Sequence, residues 1–336
     1  MLTVSRYSIV QNTKSFVFLG DWIDAKQLVP LQLFDHYQLV KASKVQIEYI
    51  KRQIDYLLLA NVPNIWTNKF EIERVPTSNG VLYQGVPEAK WNYYVIEHKR
   101  RQAGNSLKLA LTLSSLDLTV LFEVYFDQNN DISTRHIPNY LMDGLSTFNY
   151  TYDTSSPFYF YQQGPKIIDN KGIEELNFIY QKCINFKHKP AFDFIQKALK
   201  DFLEVKSISD SSAFKILSYF SILELVLTTN QNRTPGGVSL THQLQKKMSL
   251  LNNRFSEPID FQKHFKTPNT VNWDKLIEKL YDYRSSIAHG TQADFSDKLS
   301  MLKDRYKVLD FVKELCRKVL LQALIEPQLI TDLKQC

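Results

Sequence analysis

Cysteine is scarce in this chain of 336 residues. Cys183, Cys316 and Cys336 lie far apart, and bridging any two would strand the third, so a disulfide framework is excluded and a reducing compartment is expected. The ten glycines and twelve prolines show no repeat and no low-complexity tract, which excludes a fibrous or linker-like chain. No glycine-rich phosphate cradle and no Gly-x-Ser-x-Gly elbow is present, so nucleotide hydrolysis and esterase chemistry find no support. The histidines His36, His98, His136, His188, His242, His264 and His289 are scattered, and no Cys or His pair has ligand spacing, so neither a metal site nor a cofactor is expected. His188 and His264 are expected at the surface. No apolar run reaches membrane-spanning length, and Arg6, Tyr7 and Ser8 interrupt the region where a secretory signal needs an apolar core. A cytoplasmic protein with no membrane contact is expected.

What is present describes an ordered globular protein: 44% of residues are hydrophobic and 13% aromatic. The length suits two domains, each able to bury a core. A net charge of +6 is compatible with a polyanionic partner but is only a non-specific footprint.

The hydrophobic period changes along the chain. Strand-like segments run at Ser15 to Leu19, Phe70 to Val75, Val81 to Val86, Trp91 to His98, Leu107 to Ser114 and Leu118 to Phe126, separated by turn signals such as Ser78-Asn79-Gly80. From about residue 172 the period becomes helical, predicting helices over Ile173 to Phe186, Ala191 to Val205, Ser211 to Thr228, Leu240 to Asn252, Trp273 to Ala288 and Leu299 to Ile325. The expectation is an α+β multidomain chain. Residues 1–168 form a mostly β domain for sensing or substrate selection, and residues 169–336 an all-α bundle.

Two segments of the helical half carry chemistry. Ser211 to Thr228 is apolar on nearly every side, which makes Glu224 conspicuous: it points to a solvated seam or meets a cation, for which Arg284 is the candidate. Arg284 lies in Tyr281-Asp282-Tyr283-Arg284-Ser285-Ser286-Ile287-Ala288-His289-Gly290, which joins a permanent cation to an imidazole able to exchange protons near neutrality. Leu276, Leu280, Tyr283 and Ile287 make the core stripe of that helix. Five residues of regular helix turn about 140° and climb about 7.5 Å, so Arg284 and His289 do not share a face by spacing alone. A left-handed cap at Gly290, or completion of the site between two subunits, would resolve this. Read from the side chains alone, Arg284 is as well an internal ion-pair partner, and His289 a cation at a helix C-terminus.

The stretch Leu280 to Gly290 resembles the HEPN superfamily of all-helical domains, marked by Arg, four to six residues, then His, and within it the Apea-like branch. Ser221-Ile222-Leu223-Glu224-Leu225 and the helix around Leu240 to Leu250 add to the likeness, which covers roughly residues 190–325. The resemblance implies a metal-independent endoribonuclease, or a non-catalytic relative that dimerises and binds RNA or protein, in antiviral defence or as a toxin. It implies Arg284 and His289 as catalytic residues, supported by Ser285, Glu224, Tyr281 and Asp282. Its implied partners are RNA, a second copy in a homodimer, and an antitoxin or phage-derived trigger. Much of the superfamily has Asn, Asp or His after the arginine, whereas Ser285 offers a hydroxyl and cannot act as a second base.

The N-terminal half offers one basic cluster. His98, Lys99, Arg100 and Arg101, then Lys108, stand beside Trp91, Tyr93 and Tyr94, so phosphate contacts with a stacking base are one reading and a solvated hairpin tip is the other. Lys303, Arg305, Lys307, Lys313, Arg317 and Lys318 alternate with acids along the last long helix and read as an ordinary exposed face.

Overall fold

The computed structural model describes residues 14–25, 28–34, 36–57, 69–78, 80–99, 104–126, 132–136, 165–186, 189–229, 239–268 and 270–336. The chain divides into two compact units, residues 1–181 and 182–336.

The N-terminal unit is built on a six-stranded sheet of order β3-β4-β7-β1-β8-β9, every pair antiparallel. Its strands are β1 (Ser15–Leu19), β3 (Leu31–Phe34), β4 (Tyr37–Lys41), β7 (Tyr94–His98), β8 (Val120–Phe126) and β9 (Ile132–His136). The short β2 (Ile23–Asp24) pairs in parallel with β10 (Lys166–Ile167), and β5 (Ile72–Thr77) with β6 (Gly80–Gly85) forms a separate hairpin. On one sheet face Phe16, Phe18, Val95 and Phe122 pack with Ile47, Ile50 and Ile54 of helix α1 (Lys44–Leu57) in a single core. All five residues of β1 are buried, as a central strand covered on both faces requires.

One element departs from its sequence pattern. Leu107 to Ser114, expected as a strand, is helix α2 (Asn105–Leu113). Leu107, Lys108, Ala110, Leu111, Thr112 and Leu113 are all buried, so no polar side breaks the alternation that mimics a strand. Leu, Ala and Lys are strong helix formers, and β-branched residues are nearly absent from the run.

The division of the chain falls inside helix α3 (Asn170–Asn185), later than the join expected at 168. The part of α3 up to Gln181 is held in the N-terminal unit. Tyr180 stacks on Phe34 with ring centroids 3.8 Å apart, and Ser115 N–H donates to Glu175 over 2.9 Å.

The C-terminal unit is helical: α4 (Asp193–Val205), α5 (Ala213–Leu227), α6 (Leu240–Asn252), α7 (Phe261–Phe265), α8 (Trp273–Ala288), α9 (Arg305–Ile325) and α10 (Pro327–Gln335). The predicted helices over 240–252 and 273–288 match α6 and α8 end to end. Helix α5 packs on α4, α9 and α8, which gives it the central place that its apolar surface predicts. Ile216, Tyr219, Phe220, Leu223 and Val226 are buried along it.

Candidate functional site

Helix α8 carries the Arg–His segment, and both ends of the helix are set by local chemistry. Asn272 caps its start, its side chain accepting from Lys275 N–H at 3.0 Å. Leu276, Leu280 and Tyr283 anchor it in the bundle. At its end His289 is the C-cap and Gly290 has φ +67°. Gly290 N–H donates to Ile287 O over 3.1 Å and Thr291 N–H to Ser286 O over 2.9 Å, the bond pair of a Schellman ending. The left-handed cap expected at Gly290 is therefore present. It leaves His289 exposed at the last turn.

Arg284 points to the flank of the core stripe and meets helix α5. Its Nε lies 3.5 Å from Glu224 Oε1, an ion pair whose Nε–H makes no hydrogen bond. Tyr281 O–H donates to the same Glu224 oxygen over 2.9 Å, and its ring packs edge-on against Phe220 with centroids 5.4 Å apart. Burial, and then the charge of Glu224, raise the Tyr281 phenol above its ordinary value, while Arg284 opposes the rise. Glu224 thus has the cationic partner that its apolar helix calls for. The Arg284 side chain keeps 34% of its exposure and that of Glu224 17%, so the pair sits at the rim of the bundle.

The last turn of α5 that carries Glu224 is itself pinned. Thr228 donates to Glu224 O, Lys247 of α6 to Leu227 O over 2.8 Å, and Lys334 of α10 to Leu225 O. These satisfy carbonyls that a helix terminus leaves open, and two of the donors are cations at the negative end of the dipole. No pattern in the sequence marks Lys247 and Lys334 for this role, because the contacts join residues far apart in the chain.

The supporting residues fall on two sides. Tyr281 and Glu224 surround Arg284, whereas Asp282 and Ser285 lie with His289 on the outward side of α8. Ser285 is exposed; Asp282 is 3.2 Å from Lys279 Nζ and 3.6 Å from Lys298 Nζ. Arg284 and His289 remain on different sides of one helix.

The basic cluster of the N-terminal unit differs from its sequence reading. Lys99 is exposed at the end of β7, and Arg100 and Arg101 lie outside the described residues. His98 and Lys108 are buried against Glu123, at 3.9 Å and 3.5 Å, so neither faces a phosphate. Tyr93 and Tyr94 are core residues and offer no face for stacking. Their strand is covered on both sides, a property that one strand's sequence does not reveal.

Elsewhere, His188 lies outside the described residues, and His264 is half-buried against Phe265 and Phe311 rather than on the open surface. Arg317, read as part of an exposed face, is buried and makes a two-point contact with Glu314. The three cysteines are free thiols. Among the described residues no group of three His, Cys, Asp or Glu side chains could hold a metal ion, and no helix is long and apolar enough to cross a membrane.

Comparison of the chain with protein-family models, curated proteins and solved structures finds no match.

Proposed function

We propose that the C-terminal unit is a metal-independent endoribonuclease of the HEPN kind, cytoplasmic, and used in antiviral defence or as a toxin. The observation that carries this is an exposed imidazole, His289, at the C-terminal end of α8, with a guanidinium, Arg284, five residues earlier on another side of the same helix, held on one edge by Glu224 and Tyr281 and still partly open to solvent.

The chemistry follows from the side chains. Neutral His289 takes the proton of a ribose 2′-hydroxyl, and the oxygen attacks the adjacent phosphorus. Negative charge grows on the phosphoryl oxygens, where the donors of Arg284 not turned toward Glu224 receive it. The 5′-oxygen leaves and takes up a proton, giving a 2′,3′-cyclic phosphate and a 5′-hydroxyl. A single imidazole does not serve both oxygens at once, so the His289 of a second copy supplies the other proton in a homodimer. Arg284 and His289, on different sides of one helix, then act on one phosphate from two chains.

That same separation within one chain favours a second reading, a dimerising module that binds RNA or a partner protein without cutting. Incubation of RNA with the protein in chelator distinguishes the two. His289→Ala, with its circular dichroism unchanged, should lower the cleavage rate about 100-fold to 10,000-fold. RNA bound but left intact by the unaltered protein under all conditions would exclude the nuclease and leave the module.

A further inference from the structure

Helix α5 packs on its neighbours along most of its surface, but one strip of it is left open. Phe214, Leu217, Ser218 and Ser221 fall within an arc of about 100° on this helix. Phe214 is 72% exposed, and Ser221 is exposed as well. The strip is one side of a cleft of about 450 Å³, whose other side is the end of α4 and the turn after it, through Asp201, Glu204, Ser207 and Ile208. Ligand sites commonly measure roughly 300–1,000 Å³. Glu224 follows Ser221 by three residues, about 4.5 Å along the axis and about 60° round it, so the strip leads to the turn that holds Arg284.

The polar groups of the cleft are set up to accept. Ser218 Oγ–H donates to Phe214 O over 2.8 Å and Ser207 Oγ–H to Glu204 O over 2.7 Å, so both hydroxyls keep lone pairs, not protons, for a ligand. Asp201 is committed to Lys197, 2.7 Å away. Glu204 has Lys200 only at 3.7 Å, beyond hydrogen-bonding distance, and its side chain keeps 64% exposure. The acids near the cleft have cations beside them: Asp201 and Glu204 have these lysines, Asp210 has Lys215 at 2.6 Å, and Glu224 has Arg284. Acceptors are therefore offered without an uncompensated negative charge that would repel a phosphate backbone.

We infer that this cleft is a specificity pocket, in which a guanine base of the RNA strand stacks on Phe214 while its N1–H and N2–H donate to the two oxygens of Glu204. This rests on the nuclease reading above and narrows the substrate to single-stranded RNA with guanine in the nucleotide adjoining the cut phosphate. An unpaired base offers its ring face and its Watson–Crick edge together, and single strands are read by aromatic stacking combined with bonds to that edge. Guanine alone has two adjacent N–H donors there. Adenine, cytosine and uracil each set an acceptor beside the donor, and that acceptor would face a carboxylate oxygen. A second copy of the protein seated here would bury Asp201 and Glu204, whereas the core of a protein interface is depleted of charge.

The test is steady-state cleavage, in chelator, of fluorescein-labelled oligouridines that carry a single guanosine, inosine or adenosine. The guanosine oligonucleotide should be cut with kcat/KM about tenfold above the adenosine one, and inosine, which lacks the N2 amino group, should fall between them. Glu204→Gln should bring the guanosine rate down to the adenosine rate. Phe214→Ala should raise KM on all three about tenfold with kcat nearly unchanged, and sedimentation should show the same oligomer as the unaltered protein. Equal rates on the three oligonucleotides, or a preference that Glu204→Gln leaves intact, overturns the inference while the nuclease stands. A Phe214→Ala protein whose oligomer dissociates overturns it too, by assigning the cleft to a second copy. If the unaltered protein binds the oligonucleotides without cutting them, the nuclease reading fails and the same preference is read from binding. Failure to bind or cut them at all overturns both.

Discussion

Glu123 in the N-terminal unit and Glu224 in the C-terminal unit each meet a cation, but in different dielectric surroundings. The Glu123 side chain has no exposure, and it is enclosed with His98 and Lys108 between α2 and the sheet. Glu224 and Arg284 stand at the edge of the bundle, with 17% and 34% of their side chains in contact with solvent. A sealed charge cannot be re-solvated when its partner leaves, so it depends on that partner for stability. At a rim, water can take the place of a partner that leaves, so the pair is not bound to stability in the same way. Exposure separates a charge pair that holds a fold from one that can do chemistry.

The largest effect should come from the enclosed cluster. Lys108→Met keeps most of the side-chain volume but withdraws one ammonium from a carboxylate that water does not reach. A loss of about 3 kcal/mol in the urea unfolding free energy of the N-terminal unit is expected. A loss below about 1 kcal/mol would place Glu123 in a wetter setting than its burial indicates and would remove the contrast.

Helix α8 and its capping glycine were legible in the sequence because each signal there is local. The apolar stripe recurs at helical spacing, and Gly290 is the residue type that a left-handed C′ position favours. The Glu224–Arg284 pair was legible for a different reason: a lone carboxylate on an apolar helix calls for a cation, and the Arg–His segment supplies one on a helix of the same bundle. Helix α2 was misread because it is buried on most sides, so Leu107-Lys108-Leu109-Ala110-Leu111 shows an alternation with no exposed face to correct it. The lysines that cap α5 and the loop that returns Lys298 to α8 depend on tertiary contacts. No residue within one turn of either announces them.

A smaller effect is expected at Tyr281. Its hydroxyl donates to Glu224, so Tyr281→Phe should cost about 1 kcal/mol near neutral pH. The pH dependence is more specific. Burial, with Glu224 beside it, raises the phenol, so the folded protein keeps the proton where the unfolded chain releases it, above about pH 10. Below that pH the contribution is complete; as pH rises beyond it the unfolded state binds fewer protons and stability falls. Urea titrations between about pH 9 and about pH 11 should therefore give a shallower alkaline decline for Tyr281→Phe than for the unaltered protein. Tyr94 and Tyr283, and the thiols of Cys183 and Cys316, all raised mainly by burial, contribute to the part of the decline that remains. Equal slopes in the two proteins would mean that Tyr281 is solvated and does not brace Glu224.

The smallest stability effect belongs to the pair with the most chemistry assigned to it. Arg284→Gln leaves Glu224 with the Tyr281 hydroxyl and with partial access to water, so the carboxylate is not stranded as Glu123 would be. The unfolding free energy should change by less than about 1 kcal/mol, as for other solvent-accessible ion pairs. RNA cleavage should nevertheless fall about 100-fold to 1,000-fold, the usual loss for one donor aimed at developing negative charge. Both halves are needed. A stability loss near that of Lys108→Met, matched by a proportionate drop in activity, would make Arg284 a brace of the bundle whose guanidinium is committed to Glu224. A stable Arg284→Gln protein that no longer cuts RNA would show that the rim position of this pair leaves the arginine free to meet a phosphate.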